Sequence, residues 1–166
     1  MKLITLMLGF ALLLSAEGKY SNRRAPGFSI PDMTAAQYDT QDFRGKVLLI
    51  DIMITGCEHC QKLADNLKTV TAKYGNKVAV LSIVTMSADN VNTVRQFIKD
   101  HAIPWPVLFD SGQVIASYLK ITPANPSVHF PHLFIIDQQG MIRADFEDGD
   151  DLSEANLAAQ IGKYVK

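Results

Sequence analysis

An apolar run that ends in a cysteine pair constrains this chain more than any other feature. Val47-Leu48-Leu49-Ile50-Asp51-Ile52-Met53-Ile54 has the length and composition of a strand buried on both faces. Phe43-Arg44-Gly45-Lys46 turns the chain into it, and Gly56-Cys57-Glu58-His59-Cys60 follows at once. Beyond the second cysteine, Leu63, Leu67, Val70 and Tyr74 recur at spacings of four, three and four, one face of a helix. The cysteines therefore stand where a buried strand hands over to a helix.

The rest of the chain repeats that alternation. Gly75-Asn76 closes the first helix, and Val78 to Val84 reads as a second β-branched strand. Ser87 or Asp89 is expected to cap a helix whose inner face is Val91, Val94, Phe97 and Ile98. Trp105 to Phe109 is a short extended segment, and Gly112 to Leu119 a short helix. A loop from Thr122 to Pro131 leads into Leu133-Phe134-Ile135-Ile136-Asp137, and Gln138-Gln139-Gly140 turns that strand back through Met141 to Phe146. Ser153 caps a last helix with Leu157, Ile161, Tyr164 and Val165 inside. Strands alternating with helices, then a hairpin and a helix, predict a three-layer α/β/α sandwich around a central mixed sheet.

At 166 residues the chain has the size of one domain with a sizeable core. A formal net charge of −1 and a pI near 6.4 give no global attraction to nucleic acid or to an anionic membrane surface. The acidic run Asp148, Asp150 and Asp151 reads as a solvated loop. At the N-terminus, Lys2 precedes an apolar stretch from Leu3 to Leu14, shorter than the roughly 18–20 residues that span a bilayer. Small residues follow, so residues 1–18 are expected to be a signal peptide cleaved after Ala16 or Gly18, and the product exported. If the signal stays uncleaved, it tethers the chain to the membrane. Residues 19–29 read as a linker, and 30–166 as the folded domain.

The chain has only two cysteines, Cys57 and Cys60. Closing so short a loop restrains the unfolded chain little, so the pair is a poor staple and suits chemistry better. At a helix N-terminus, unpaired N–H groups and the helix dipole favour a thiolate at Cys57. One helical turn brings Cys60 to the same face, giving an attacking thiolate, a resolving thiol and a Cys57–Cys60 disulfide when oxidised. His59, protonated or donating a hydrogen bond, stabilises the thiolate, whereas Glu58 opposes it. Asp51 interrupts the apolar strand, and burial of its carboxyl raises its pKa. Placed under Cys60, it can shuttle a proton to or from that thiol; at a strand edge or bulge it would instead point to water.

From about Ala25 to the C-terminus, the sequence resembles the TlpA/ResA branch of the thioredoxin superfamily, the redoxin or AhpC/TSA-like domain class. Ala25-Pro26-Gly27-Phe28-Ser29-Ile30-Pro31-Asp32 looks like its lead-in segment, and Phe43 to Asp51 like its first central strand. Phe130-Pro131-His132-Leu133-Phe134-Ile135-Ile136-Asp137 looks like its proline loop and following strand. The resemblance implies a thioredoxin-like fold, a cis Pro131 facing the cysteines, and substrate binding along Phe130 and Pro131. It also implies an extracytoplasmic, monomeric thiol–disulfide oxidoreductase that acts on exported proteins carrying disulfides or dithiols. A membrane-bound electron donor would reset it, and no cofactor or metal is called for. Gly56 departs from the pattern, standing where that branch commonly has Trp, and so do Phe130 and His132 beside the proline.

Three other readings are open to the same residues, one of them a redox-inert thioredoxin-like binding module, which would require Cys57 and Cys60 to be unreactive at their strand-to-helix junction. A copper-handling protein of the Sco type would use Cys57, Cys60 and His129 or His132 as soft thiolate and imidazole ligands, although that type spaces its cysteines by three residues. A peroxiredoxin would need a Pro-x-x-x-Thr-x-x-Cys pattern, and residues 50–57 contain no proline.

Overall fold

The computed structural model describes residues 18–166, so the expected signal peptide lies, but for Gly18, outside the described residues. In chain order the strands and helices are β1 (Arg23–Arg24), β2 (Ser29–Pro31), β3 (Gln37–Asp39), β4 (Val47–Met53), α1 (Glu58–Thr71), β5 (Val78–Thr85), α2 (Val91–His101), β6 (Val107–Asp110), α3 (Gln113–Leu119), β7 (His132–Ile136), β8 (Met141–Glu147) and α4 (Glu154–Gly162). Six strands form one mixed sheet in the order β1-β8-β7-β4-β5-β6, while β2 and β3 form a separate hairpin. The thioredoxin-like sandwich expected from the sequence is the fold observed.

Strand β4 is central because it is apolar on both faces, and every one of its residues is buried. Its alternating side chains serve two cores. Val47, Leu49 and Met53 pack with Leu63 and Leu67 of α1, Val94 and Phe97 of α2, and Leu157 and Ile161 of α4. Leu48, Ile50 and Ile52 pack on the opposite face with Val114, Ile115 and Tyr118 of α3. Helices α1, α2 and α4 thus cover one face and α3 the other.

Strand direction positions the site. β4 runs parallel to β5 and antiparallel to β7. The end of β4 therefore meets the start of β7, with Ile52 opposite His132. This pairing brings the residues after β4, which include the cysteines, to the proline that precedes β7. The Phe130–Pro131 peptide bond is cis.

Three details differ from the sequence expectation. The segment expected as a linker is built into the fold: Arg23–Arg24 pairs with β8, and Tyr20 is buried beside Phe134. An aromatic side chain that can cover the sheet outweighs the polar character of its neighbours. The cap of α2 is Asn90, whose side chain accepts from the Asn92 and Thr93 N–H groups, rather than Ser87 or Asp89. Because the helix starts at that register, Val91 faces outward at 41% exposure instead of inward.

Candidate active site

Cys57 is the N-cap residue of α1. Its backbone is extended, as a cap requires, and its sulfur accepts the Cys60 backbone N–H at 3.3 Å. A sulfur in that position takes one of the otherwise unpaired donors of the first turn and lies at the positive end of the helix. Cys57 is half-buried, with its Sγ 4.0 Å from the Phe130 carbonyl oxygen, and Cys60 is fully buried. Both are free thiols. Burial is the main cause that pushes the Cys60 thiol well above its ordinary pKa; the hydrogen bond with Cys57 and the charge of Asp51 add to it. The two sulfurs are thus unequal: one accessible at a helix end, one buried and reluctant to ionise.

Asp51 has no exposed surface, and the strand-edge alternative is excluded because β4 lies between β5 and β7. By the alternation of β4, its side chain projects to the face covered by α1, the face that holds Cys60. Burial raises its pKa to about 7, against a smaller opposing contribution from the hydrogen bond that Ser82 donates at 2.9 Å. Oδ1 of the same carboxyl is buried without a partner. Trp105 Nε1 donates to Ser82 Oγ at 2.9 Å, behind the acid.

His59 and Glu58 are exposed on the first turn of α1. His59 Nδ1 lies 2.6 Å from Asp148 Oδ1. The acidic run, read from the sequence as a solvated loop with no functional role, therefore contributes a partner to the motif. The same loop walls a groove of about 510 Å³ along α1, lined by His59, Lys62, Asn66, Asp148 and Leu152 among others. Gly56 is exposed, with open space where a side chain would begin. Behind it, Asp89 accepts from the Thr55 N–H at 3.1 Å and from the Thr55 hydroxyl, and also from Thr93 Oγ1 at 2.9 Å. That buried carboxylate fixes the turn before Cys57 to the start of α2.

The histidines of the copper reading lie elsewhere. Leu133 and Ile135 belong to the core that contains Cys60, so His132, next to Leu133, projects to the opposite face. There it stacks on Phe134 at 4.6 Å and lies 3.3 Å from the buried Asp145 carboxylate. His129 lines a cleft with Lys19, Tyr20 and His132 on that side. No group of three His, Cys, Asp or Glu side chains among the described residues converges to hold a metal. The sheet separates His132 from the thiols, and His129 opens into the cleft on that side, so among the described residues neither imidazole is brought to the cysteine pair.

A profile of the AhpC/TSA family matches residues 22–145, most of the described chain. The chain belongs to the AhpC/TSA family. Within the AhpC/TSA family it falls in the ResA/TlpA-like redoxin branch. It is similar to the thiol-disulfide oxidoreductase ResA of Bacillus thuringiensis subsp. konkukian, 26% identical over 145 residues, covering 87% of this chain and 76% of the relative. It is also similar to the thioredoxin-like protein YneN of Bacillus subtilis, 25% identical over 127 residues, covering 76% of this chain and 71% of that one. Among solved structures, a thiol:disulfide interchange protein of the thioredoxin family from Chlorobium tepidum superposes with a TM-score of 0.74 at 17% identity. That match covers 91% of this chain and all of the other, and it establishes the same fold.

Sequence reasoning places Cys57, Cys60, Asp51, His59, Phe130 and Pro131 at this end of the AhpC/TSA-family domain, and the structure brings them together there. It misses Ser82, Trp105, Asp89 and Asp148. A hydroxyl in the otherwise apolar Val78–Val84 strand was the one available signal for Ser82. No local pattern ties Asp148 to His59, because they are distant in sequence.

Proposed function

We propose that this protein is an extracytoplasmic thiol–disulfide oxidoreductase that reduces disulfides of exported proteins through Cys57 and Cys60. The observation that carries this reading is the inequality of the two sulfurs. Cys57 sits half-exposed at the helix N-cap beside the Phe130 carbonyl, and Cys60 lies buried behind it above a buried acid.

The Cys57 thiolate attacks one sulfur of a substrate disulfide, and the other sulfur leaves as a thiolate that takes a proton from solvent. The backbone around Phe130 and Pro131 holds the extended substrate by main-chain pairing, next to the Cys57 sulfur. Asp51 as carboxylate accepts the Cys60 proton, and the Cys60 sulfur attacks Cys57. The Cys57–Cys60 bond forms and the second substrate sulfur is released. The protein dithiol loses two electrons and the substrate disulfide gains them. A membrane-bound dithiol donor then returns the pair to its reduced form. His59, held by Asp148, adjusts how strongly the Cys57 thiolate is stabilised.

An expected N-terminal export signal and relatives of the ResA type support the extracytoplasmic location. The deciding experiment equilibrates the full chain in graded dithiol/disulfide buffers and counts alkylatable thiols. A reversible two-electron transition below about −200 mV supports a reductant, and one near about −120 mV makes the protein an oxidant. Absence of any reversible transition overturns the reading.

A further inference from the structure

Ser82 stands opposite Asp51 in the parallel pairing of β4 with β5. Its Oγ bonds Asp51 Oδ2 at 2.9 Å, and Trp105 Nε1 bonds the same Ser82 oxygen at 2.9 Å. An indole N–H only donates, so Ser82 accepts from Trp105 and sends its own proton to the carboxyl. The direction of the chain is therefore fixed, from Trp105 through Ser82 to Asp51. Exposure is 9% at Trp105 and zero at Ser82 and Asp51, so bulk water does not compete for these groups. The two oxygens of the acid are thereby made different. Oδ2 already receives a proton from Ser82, and a second proton placed there would face it. Oδ1 is buried with no partner at all.

We propose that Ser82 and Trp105 are positioning residues that hold Asp51 with Oδ2 as a standing acceptor and Oδ1 as the oxygen that exchanges a proton with Cys60. The proposal rests on the reading of Asp51 as the base of the resolving step. In that step Oδ1 takes the Cys60 proton and the Cys60 sulfur bonds to Cys57. The bond from Cys57 to the partner breaks, and the partner leaves with the electron pair. Cys60 is the titratable group that senses the acid from α1. From β5 and from the segment before β6 the acid meets only the uncharged Ser82 and Trp105 chain. Because Trp105 donates into Ser82, it polarises the Ser82 hydroxyl and makes it a better donor to the carboxylate. Removing either residue weakens stabilisation of the charged acid and raises its proton affinity.

The test follows reaction of the reduced full chain with an aromatic disulfide from about pH 5 to about pH 9. The first burst of aryl thiolate reports Cys57 and the second reports resolution by Cys60. Ser82→Ala is expected to move the midpoint of the second phase upward by about one pH unit, a tenfold rise in proton affinity. Trp105→Phe, which keeps the ring, is expected to move it the same way by less. The double variant should match Ser82→Ala alone, because the indole acts only through the hydroxyl. An unmoved midpoint in Ser82→Ala, or a Trp105→Phe shift that adds in full to it, overturns the proposal. Asp51→Asn separates the two readings: if its second phase keeps the parent profile, Asp51 is not the base. In that event the infrared carboxyl band of Asp51, isolated by subtracting the Asp51→Asn spectrum, still reports its midpoint. Indifference of that band to Ser82→Ala would then refute the positioning role on its own.

Discussion

Cys60 donates its backbone N–H to the Cys57 sulfur at 3.3 Å, so the residue with the buried sulfur also supports the half-buried one. The arrangement follows from the N-cap: the residue that opens α1 is also the one whose side chain the first turn needs as an acceptor. The Cys57 sulfur lies at the positive end of α1, whereas charge on Cys60 is penalised by burial. The proposed order of attack, first Cys57 and then Cys60, follows that difference.

Cys60→Ala is therefore expected to accumulate a stable mixed disulfide between Cys57 and a disulfide substrate, visible as an added mass under non-reducing conditions. Cys57→Ala should form none and should reduce substrate only at the rate of the buffer dithiol. A trapped adduct on Cys60 instead would reverse the assignment of the two sulfurs.

Asp51 makes stability depend on pH. Its folded pKa of about 7 lies above the ordinary carboxyl value, so the folded state binds the proton more tightly than the unfolded chain does. Its contribution is full below about pH 4 and is lost as pH rises through about 7. Asp51→Asn removes that loss, and the variant should exceed the parent in stability at pH 8 by an amount on the order of 2–4 kcal/mol, with a smaller difference near pH 5. Urea denaturation at the two pH values measures it. The same variant should slow resolution by about 10²-fold, the usual scale of a lost general base.

The His59–Asp148 pair is solvent-exposed, at 66% and 43% of the two side chains, so its removal should change stability by no more than about 1 kcal/mol. Its effect belongs to the redox midpoint. On the proposed role of His59 in stabilising the thiolate, His59→Ala should make the midpoint more negative by about 30 mV for each tenfold loss of that stabilisation. Asp148→Asn should move it in the same direction by less, and added salt should shrink both shifts. A midpoint unchanged by His59→Ala would remove His59 from the site.

The buried His132 and Asp145 make a further case. Asp145 accepts from the Tyr20 backbone N–H at 2.8 Å and faces His132 at 3.3 Å. Asp145→Ala leaves both without their partner, and a loss of about 3 kcal/mol is expected in denaturant titration. Because His132 lies across the sheet from the thiols, His132→Asn should leave any Cu(I) binding by the cysteines at the parent affinity. A loss of that affinity would restore the copper reading.

Much of this was legible in the sequence because it is local. The buried strand, the cysteine spacing at its end and the apolar spacing of α1 follow from residues adjacent along the chain. Asp51 announced itself as an acid amid apolar residues. The caps were less legible: Asn90, one residue past the expected Asp89, took the N-cap, and Asp89 turned inward to hold Thr55. Competition between neighbouring polar residues for one cap is decided by where the chain must go next, not by their types.

The sequence by itself determined the α/β class, the position of the dithiol at a strand-to-helix junction and the burial of an acid on the same strand. Periodicity and hydrophobicity act over a few residues, and those features need nothing more. Only the tertiary structure decided which groups face these residues. The antiparallel pairing of β7 with β4 brought Phe130 to Cys57, and the parallel register of β5 set Ser82 and then Trp105 behind Asp51. The loop after β8 gave His59 its carboxylate. Strand alternation carried His132 to the far side of the sheet. Each of these joins residues far apart in the chain, and strand direction and register, set by burial of both faces of the sheet at once, are what bring them together.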